Sequence, residues 1–156
     1  MIINTLYKTD SIIDGIKYNP PSEIIDYGYA IGLEWRNKNG DLHNENGPAY
    51  IEYYENRNIK YQEWYIDDKY HNENGPAYIK YDQNGNVLYK AWWINGERHN
   101  DNGPAYIRYY ENGNVSYKLW FINGDRHNDN GPAYIEYDQN GNIIKQEYWK
   151  NGKKIK

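Results

Sequence analysis

Four histidines, His43, His71, His99 and His127, stand 28 residues apart with no insertion between them. Each opens the same phrase, HNENGPAYI at 43 and 71 and HNDNGPAYI at 99 and 127. A fixed period of this size restricts the chain to a repeat architecture, in which no copy buries its own apolar face and stacked neighbours bury it together. The period divides the sequence into an N-terminal cap (1–28), a degenerate half repeat (29–42) and four copies (43–70, 71–98, 99–126 and 127–154).

Two turn signals recur in each copy. One follows the AYIxY run, at Asn84-Gly85, Asn112-Gly113 and Asn140-Gly141; the other follows an aromatic run, at Asn95-Gly96, Asn123-Gly124 and Asn151-Gly152. Asn-Gly between apolar runs predicts hairpins with type I′ turns, which need positive φ at both central residues. The Gly-Pro of each opening phrase marks entry to a strand, where proline is tolerated. The expected fold is all-β: an elongated, twisted antiparallel meander of hairpin repeats.

Aromatic strands punctuated by Asn-Gly, with a small-residue step before the next strand, resemble MORN-type repeats. The bacterial and viral variants of that family are the nearer likeness. The resemblance covers 43–154 and part of 29–42, and departs from the family in its longer loop, HN(D/E)NGPA. An extended repeat sheet presents a long, regularly spaced surface, which reads as a non-catalytic binding scaffold, and the resemblance implies sharper versions of that reading. Variant proteins of this group are labelled antitoxins or immunity proteins, similar arrays occur in large DNA viruses, and MORN repeats are associated with acidic lipids and membrane tethering.

Composition narrows the function. The net charge of −4 gives no electrostatic case for nucleic acid. No stretch is long and apolar enough to span a membrane, and MIINTLYKTDSII does not read as a secretory signal, so a cytoplasmic protein is expected. Absence of cysteine removes disulfides and thiolate metal sites. Twenty Tyr and six Trp against one Met predict aromatic ladders rather than an aliphatic core.

Departures from the period carry expectations of their own. Asn19-Pro20-Pro21 breaks the cap, and Ser22 is placed to N-cap a short helix over 22–27. Asn39 lies two periods before Asn95, which aligns Ile31 with Val87 and makes the half repeat a second strand without its first. In copy 43–70, Arg57 replaces a glycine and Asp67-Asp68 replaces Asn-Gly, so looser turns are expected there.

Alternation in the first strand sets Ala105, Ile107 and Tyr109 on one face, read as core, and Tyr106 and Arg108 on the other. The candidate protein-binding row is therefore Tyr50, Tyr78, Tyr106 and Tyr134 with Glu52, Lys80, Arg108 and Glu136. The second strand is apolar on both faces, which a bulge or a second cover would explain.

The four histidines invite a metal reading, but equivalent positions two strands apart lie roughly 9–10 Å from one another, too far to share one ion. They are read as structural, pinning their loops. The Asn-(Asp/Glu)-Asn-Gly loop lacks the alternating carboxylates of a calcium site. Glu45, Glu73, Asp101 and Asp129 repeat one environment, whereas catalysis needs an asymmetric constellation. No catalytic residue, metal or cofactor is assigned. Trp64, Trp92 and Trp120 share one position and are read as ladder packing rather than a strip for sugars or a partner. The expected function is a protein-interaction scaffold, with acidic-lipid tethering as the alternative; the basic tail Lys150–Lys156 is the sole feature that favours lipid.

Overall fold

The computed structural model describes residues 11–13, 16–18, 20–26, 28 and 30–155. Among them every regular element is a strand. The first four are β1 (Ser11–Ile13), β2 (Ile16–Tyr18), β3 (Glu23–Asp26) and β4 (Ile31–Glu34). Copy 43–70 adds β5 (Tyr50–Tyr53), β6 (Ile59–Glu63), β7 (Tyr65–Ile66) and β8 (Lys69–Tyr70). Copy 71–98 adds β9 (Tyr78–Tyr81), β10 (Val87–Ala91), β11 (Trp93–Ile94) and β12 (Glu97–Arg98). Copy 99–126 adds β13 (Tyr106–Tyr109), β14 (Val115–Leu119), β15 (Phe121–Ile122) and β16 (Asp125–Arg126). The last copy adds β17 (Tyr134–Tyr137), β18 (Ile143–Glu147), β19 (Trp149–Lys150) and β20 (Lys153–Lys154).

The two long strands of each copy join one open ten-stranded antiparallel sheet, ordered β3-β4-β5-β6-β9-β10-β13-β14-β17-β18. The short pairs β7-β8, β11-β12, β15-β16 and β19-β20 are separate hairpins between them. They form a second ladder, because each turn donates to the previous hairpin: Gly96 N–H to Tyr70 O (2.9 Å), Gly124 N–H to Arg98 O (2.9 Å) and Gly152 N–H to Arg126 O (3.1 Å).

The two Asn-Gly turns differ. Asn95 and Gly96 both have positive φ (52° and 84°), as type I′ requires. In the first turn only Gly85 does (88°), which corrects the expectation of type I′ there. Gly85 N–H donates to Asp82 O and Asp82 N–H to Asn86 O, closing a five-residue loop. Asp82 Oδ1 takes the Asn84 and Asn86 amides, so the acid shapes the turn. A register shift follows between Tyr89 and Val87, and again at the equivalent points of the other copies. This bulge resolves the two-sided second strand: Val115 pairs with Tyr109 on the isoleucine face, Tyr117 with Arg108 on the tyrosine face.

Copy 43–70 keeps the same turns without glycine. Arg57 (68°), Asp67 (48°) and Asp68 (59°) all lie in the left-handed region. Asp68 Oδ1 accepts the Leu42 amide at 2.6 Å, and Asp67 Oδ1 meets His43 and Asn37. At Asp67 and Asp68 these side-chain bonds offset the backbone strain; the exposed Arg57 side chain makes none among the described residues.

The N-terminal expectations need three corrections. The segment 22–27 is not a helix: Glu23–Asp26 is β3, paired with β4 along its length, and Ser22 Oγ accepts the Arg36 amide (2.9 Å) instead of capping a helix. Tyr27 lies outside the described residues, as do the isoleucines at 2 and 3. Cross-strand pairing overrides the local capping signal. The half repeat therefore has its first strand. Its second strand is also one residue out of the 28-residue phase. Trp35 N–H donates to Ala49 O, as Trp64, Trp92 and Trp120 donate to Ala77, Ala105 and Ala133; Trp35 O receives His43 as Trp64 O receives His71. Trp35 is thus the counterpart of Trp64, and the loop 36–42 holds the extra residue.

That end of the sheet carries the tightest packing. Leu33 and Ile51 are fully buried with Trp35 and Tyr53 beside them, and Ile24, Ile31 and Ile59 pack on this cluster. Ile79, Ile107 and Ile135 are only half-buried. The isoleucine face is a closed core at Ile51 and an open one beyond, where among the described residues no second layer covers it. Ala49, Ala77, Ala105 and Ala133 are fully buried at each step into a copy.

Candidate functional site: the tyrosine face

Strand pairing assembles two rows on the face opposite Ile51 and Ile107. In the first, Tyr50, Tyr78, Tyr106 and Tyr134 alternate with Glu63, Ala91, Leu119 and Glu147. In the second, Glu52, Lys80, Arg108 and Glu136 alternate with Tyr61, Tyr89, Tyr117 and Lys145. All eight candidate residues share this face. The tyrosines between them were missed by sequence reading, because the bulge hides their phase.

The rings interleave diagonally. Tyr61, Tyr78, Tyr89, Tyr106, Tyr117 and Tyr134 lie in a zigzag with successive centroids 5.9, 5.2, 5.4, 5.5 and 6.1 Å apart. Tyr78 and Tyr89 are parallel to within 2°. Such contacts contribute about 0.5–1.5 kcal/mol each beyond buried area. Burial pushes the Tyr78 and Tyr106 phenols well above the ordinary range, and burial with the Glu136 hydrogen bond pushes Tyr134 up to about 12. These three phenols stay protonated at any physiological pH.

A second column flanks it on the short hairpins. Tyr65 stacks on Tyr70 (4.3 Å) and Tyr70 on Trp93 (5.5 Å). Arg98 then lies between Trp93 (5.1 Å) and Phe121 (5.4 Å), and Arg126 between Phe121 (5.9 Å) and Trp149 (4.7 Å). Arg98 also lies 5.3 Å from the Tyr106 ring, which joins the columns.

Charges on this face are satisfied at its ends. Glu52 accepts Tyr50 Oη (2.9 Å) and Lys60 Nζ (2.7 Å). Glu63 accepts Tyr65 and Tyr70 hydroxyls (2.7 and 2.9 Å), yet burial raises its carboxyl above the usual range. Glu136 accepts Tyr134 Oη (2.7 Å). Glu147 meets Lys154 (3.0 Å), Lys145 (3.1 Å) and Trp149 Nε1 (3.1 Å), which hold its carboxyl down to about 2; Arg126 stands at 3.6 Å. In the middle, a cleft of about 420 Å³ is lined by Lys80, Tyr89, Tyr106, Arg108 and, at its turn end, Glu111.

The histidines do more than pin their own loop. Each reaches the second turn of its copy, 24 residues on. Asn95 N–H donates to His71 Nδ1 (3.2 Å) with the Asn95 amide oxygen 3.0 Å from the same nitrogen; His99 meets Asn123 and His127 meets Asn151 in the same way. The far nitrogen faces the loop acid, at 3.1 Å for His99–Asp101 and 3.0 Å for His127–Asp129. The loop itself is closed by its first asparagine: Asn100 Nδ2 donates to Pro104 O and Asn100 Oδ1 accepts Asn102 N–H. Among the described residues no three His, Asp or Glu side chains converge as a metal cluster. Trp120 lies on the other side of the sheet from the tyrosines, in a cleft between the loops at Asn100–Gly103 and His127–Asn130.

No family model, curated protein or solved structure matches the chain.

Proposed function

We propose that the chain is a non-catalytic scaffold that binds a protein partner across the tyrosine face. The observation that carries this is the ladder from Tyr61 to Tyr134, a rigid half-buried aromatic strip with charges set along one side. Tyrosine gives large contact area at small entropic cost, and neighbouring charges select partner and register. Glu52, Glu63, Glu136 and Glu147 are each held by tyrosine, lysine, arginine or tryptophan groups, an arrangement suited to recognition rather than to proton transfer. The MORN-type resemblance supports the same class of function and suggests an antitoxin-like or viral accessory protein acting inside a cell. Tethering to acidic lipid receives less support, because Lys150 and Lys154 of the basic tail are paired with Asp129 and Glu147.

The test is affinity capture from the native source, read by mass spectrometry, with wild type and the Arg108→Glu variant. Arg108 is exposed, so the variant should melt within about 0.5 kcal/mol of wild type while losing the partner. Capture of the same partner by both proteins would place binding elsewhere.

A further inference from the structure

The charge order along the second row is minus, plus, plus, minus: Glu52, Lys80, Arg108, Glu136. The outer acids have internal partners, as described. Among the described residues the inner cations have none: no carboxylate lies within ion-pair distance of Lys80 or Arg108, and Lys80 contacts only the faces of Tyr61 and Tyr89.

The first row repeats this pattern independently. Glu147 stands seven residues before Lys154 and twenty-one after Arg126, and it meets both. Glu63 stands seven before Tyr70 and accepts its hydroxyl. At the same two offsets from Arg98 stand Ala91 and Leu119, both buried. Arg98 is therefore a cation held among Trp93, Tyr106 and Phe121 with no acid at either position. Its Nε is buried and has no hydrogen-bond partner. The Arg98 guanidinium thus lacks the internal carboxylate that Glu147 gives Arg126, and an acid from outside would meet a charge not yet neutralised.

We propose that the middle of the tyrosine face, at Lys80, Arg98 and Arg108, binds a carboxylate-bearing extended segment of a protein partner. The inference rests on that face being the docking surface and names the chemistry it takes. Lys80 and Arg108 sit on strands two apart in the sheet, with Tyr89 between them. Two strand spacings are roughly 9.6 Å, and carboxylates three residues apart on a polyproline II segment lie roughly 9.3 Å from each other. Aromatic-lined grooves accept such segments because their backbone is already ordered. The cleft between Lys80 and Arg108 accommodates one side of the chain, and Arg98, over Tyr106, offers its guanidinium beside it.

The experiment uses the full chain and a fluorescently labelled peptide of repeated Glu-Pro-Pro, with Gln-Pro-Pro as control, read by anisotropy at low and physiological salt. The Glu peptide should bind and the Gln peptide should not, with affinity falling as salt rises. Arg108→Glu and Lys80→Glu should each weaken binding by about tenfold or more. Leu119→Glu leaves all three cations in place and sets an internal acid where Glu147 stands in the last copy; it should also weaken binding. Equal binding of the two peptides, or of wild type and Arg108→Glu, overturns the proposal. Binding to phosphatidylserine vesicles with the same variant dependence, and none to the peptide, overturns it in favour of a membrane ligand. A native partner lost by Arg108→Glu but not displaced by the Glu peptide keeps the docking face and removes the acidic ligand. The converse, peptide binding with the native partner unaffected by the variant, keeps the anion site and removes the scaffold reading.

Discussion

Replacing Arg57 by glycine should stabilise the protein, while the same change at Asp68 should not. Both residues hold positive φ, 68° and 59°, at points where later copies carry glycine. The left-handed backbone costs a residue with a Cβ about 1–2 kcal/mol. Glycine returns about 0.4–1 kcal/mol of that through the greater entropy of its unfolded chain. The expected gain at Arg57 is thus about 0.5–1 kcal/mol, since its side chain is exposed and its turn is closed by its own amide to Tyr54 O, which glycine retains. Asp68→Gly relieves the same strain but deletes the carboxylate that accepts the Leu42 amide at 2.6 Å. A hydrogen bond to a charged group contributes about 1.5–3 kcal/mol, so even at the low end the net effect is a loss of about 0.5–1 kcal/mol. Urea unfolding of the two variants beside wild type, with a shared m-value, measures both numbers as midpoint shifts. An Arg57→Gly midpoint at or below wild type would refute the strain argument. An Asp68→Gly midpoint as high as that of Arg57→Gly would show that the side-chain bond contributes nothing.

Two further outcomes follow from groups at repeated positions. Glu63 and Glu147 occupy the same place in the repeat with opposite shifts, so their pH signatures should oppose. Glu147, held down to about 2 first by its Lys154 hydrogen bond, contributes stability that is present above the ordinary carboxylate range and lost as pH falls toward 2. Glu63, raised first by burial, contributes stability at low pH that is lost as pH rises through its raised value. Glu147→Gln should flatten the acid limb of the stability profile, and Glu63→Gln should raise stability at neutral pH; unfolding curves across pH that show the two variants alike would contradict this. His99→Ala should cost about 1–2 kcal/mol, from the contacts of its ring with Asn123 and with Asp101, and should speed hydrogen exchange at Asn123 rather than within the loop at 100–104. Exchange accelerated only in the loop would restore the simpler role.

The period and the alternation made much of this legible. Identical spacing gave the hairpin stack, and the two-residue phase of AYIRY placed Tyr106 and Arg108 on one face before any strand was paired. What failed did so where one residue changed the count. The bulge after each first turn moved Tyr117 to the tyrosine side while Val115 stayed with the isoleucines, and apolar pattern alone does not mark an unpaired residue. The extra residue in 36–42 put Trp35, not Arg36, opposite the step alanine. Sequence at 22–27 offered a capping serine, but Ile24 and Ile25 were claimed by β4. The solitary state of Arg98 was also readable in principle: Ala91 and Leu119 interrupt a position that is Glu in the outer copies, and comparing copies column by column would have found it.

The tyrosine zigzag has an optical consequence. Rings between 5.2 and 6.1 Å apart, one pair nearly parallel, are close enough for their electronic transitions to couple. Light absorbed anywhere along the six phenols can migrate from ring to ring, and through Tyr78 and Tyr70 it meets Trp93 at 5.5 Å. Trp93 is then the natural emitter for an antenna built by β-pairing alone, and the chain's fluorescence under tyrosine excitation becomes a gauge of how many copies remain in register.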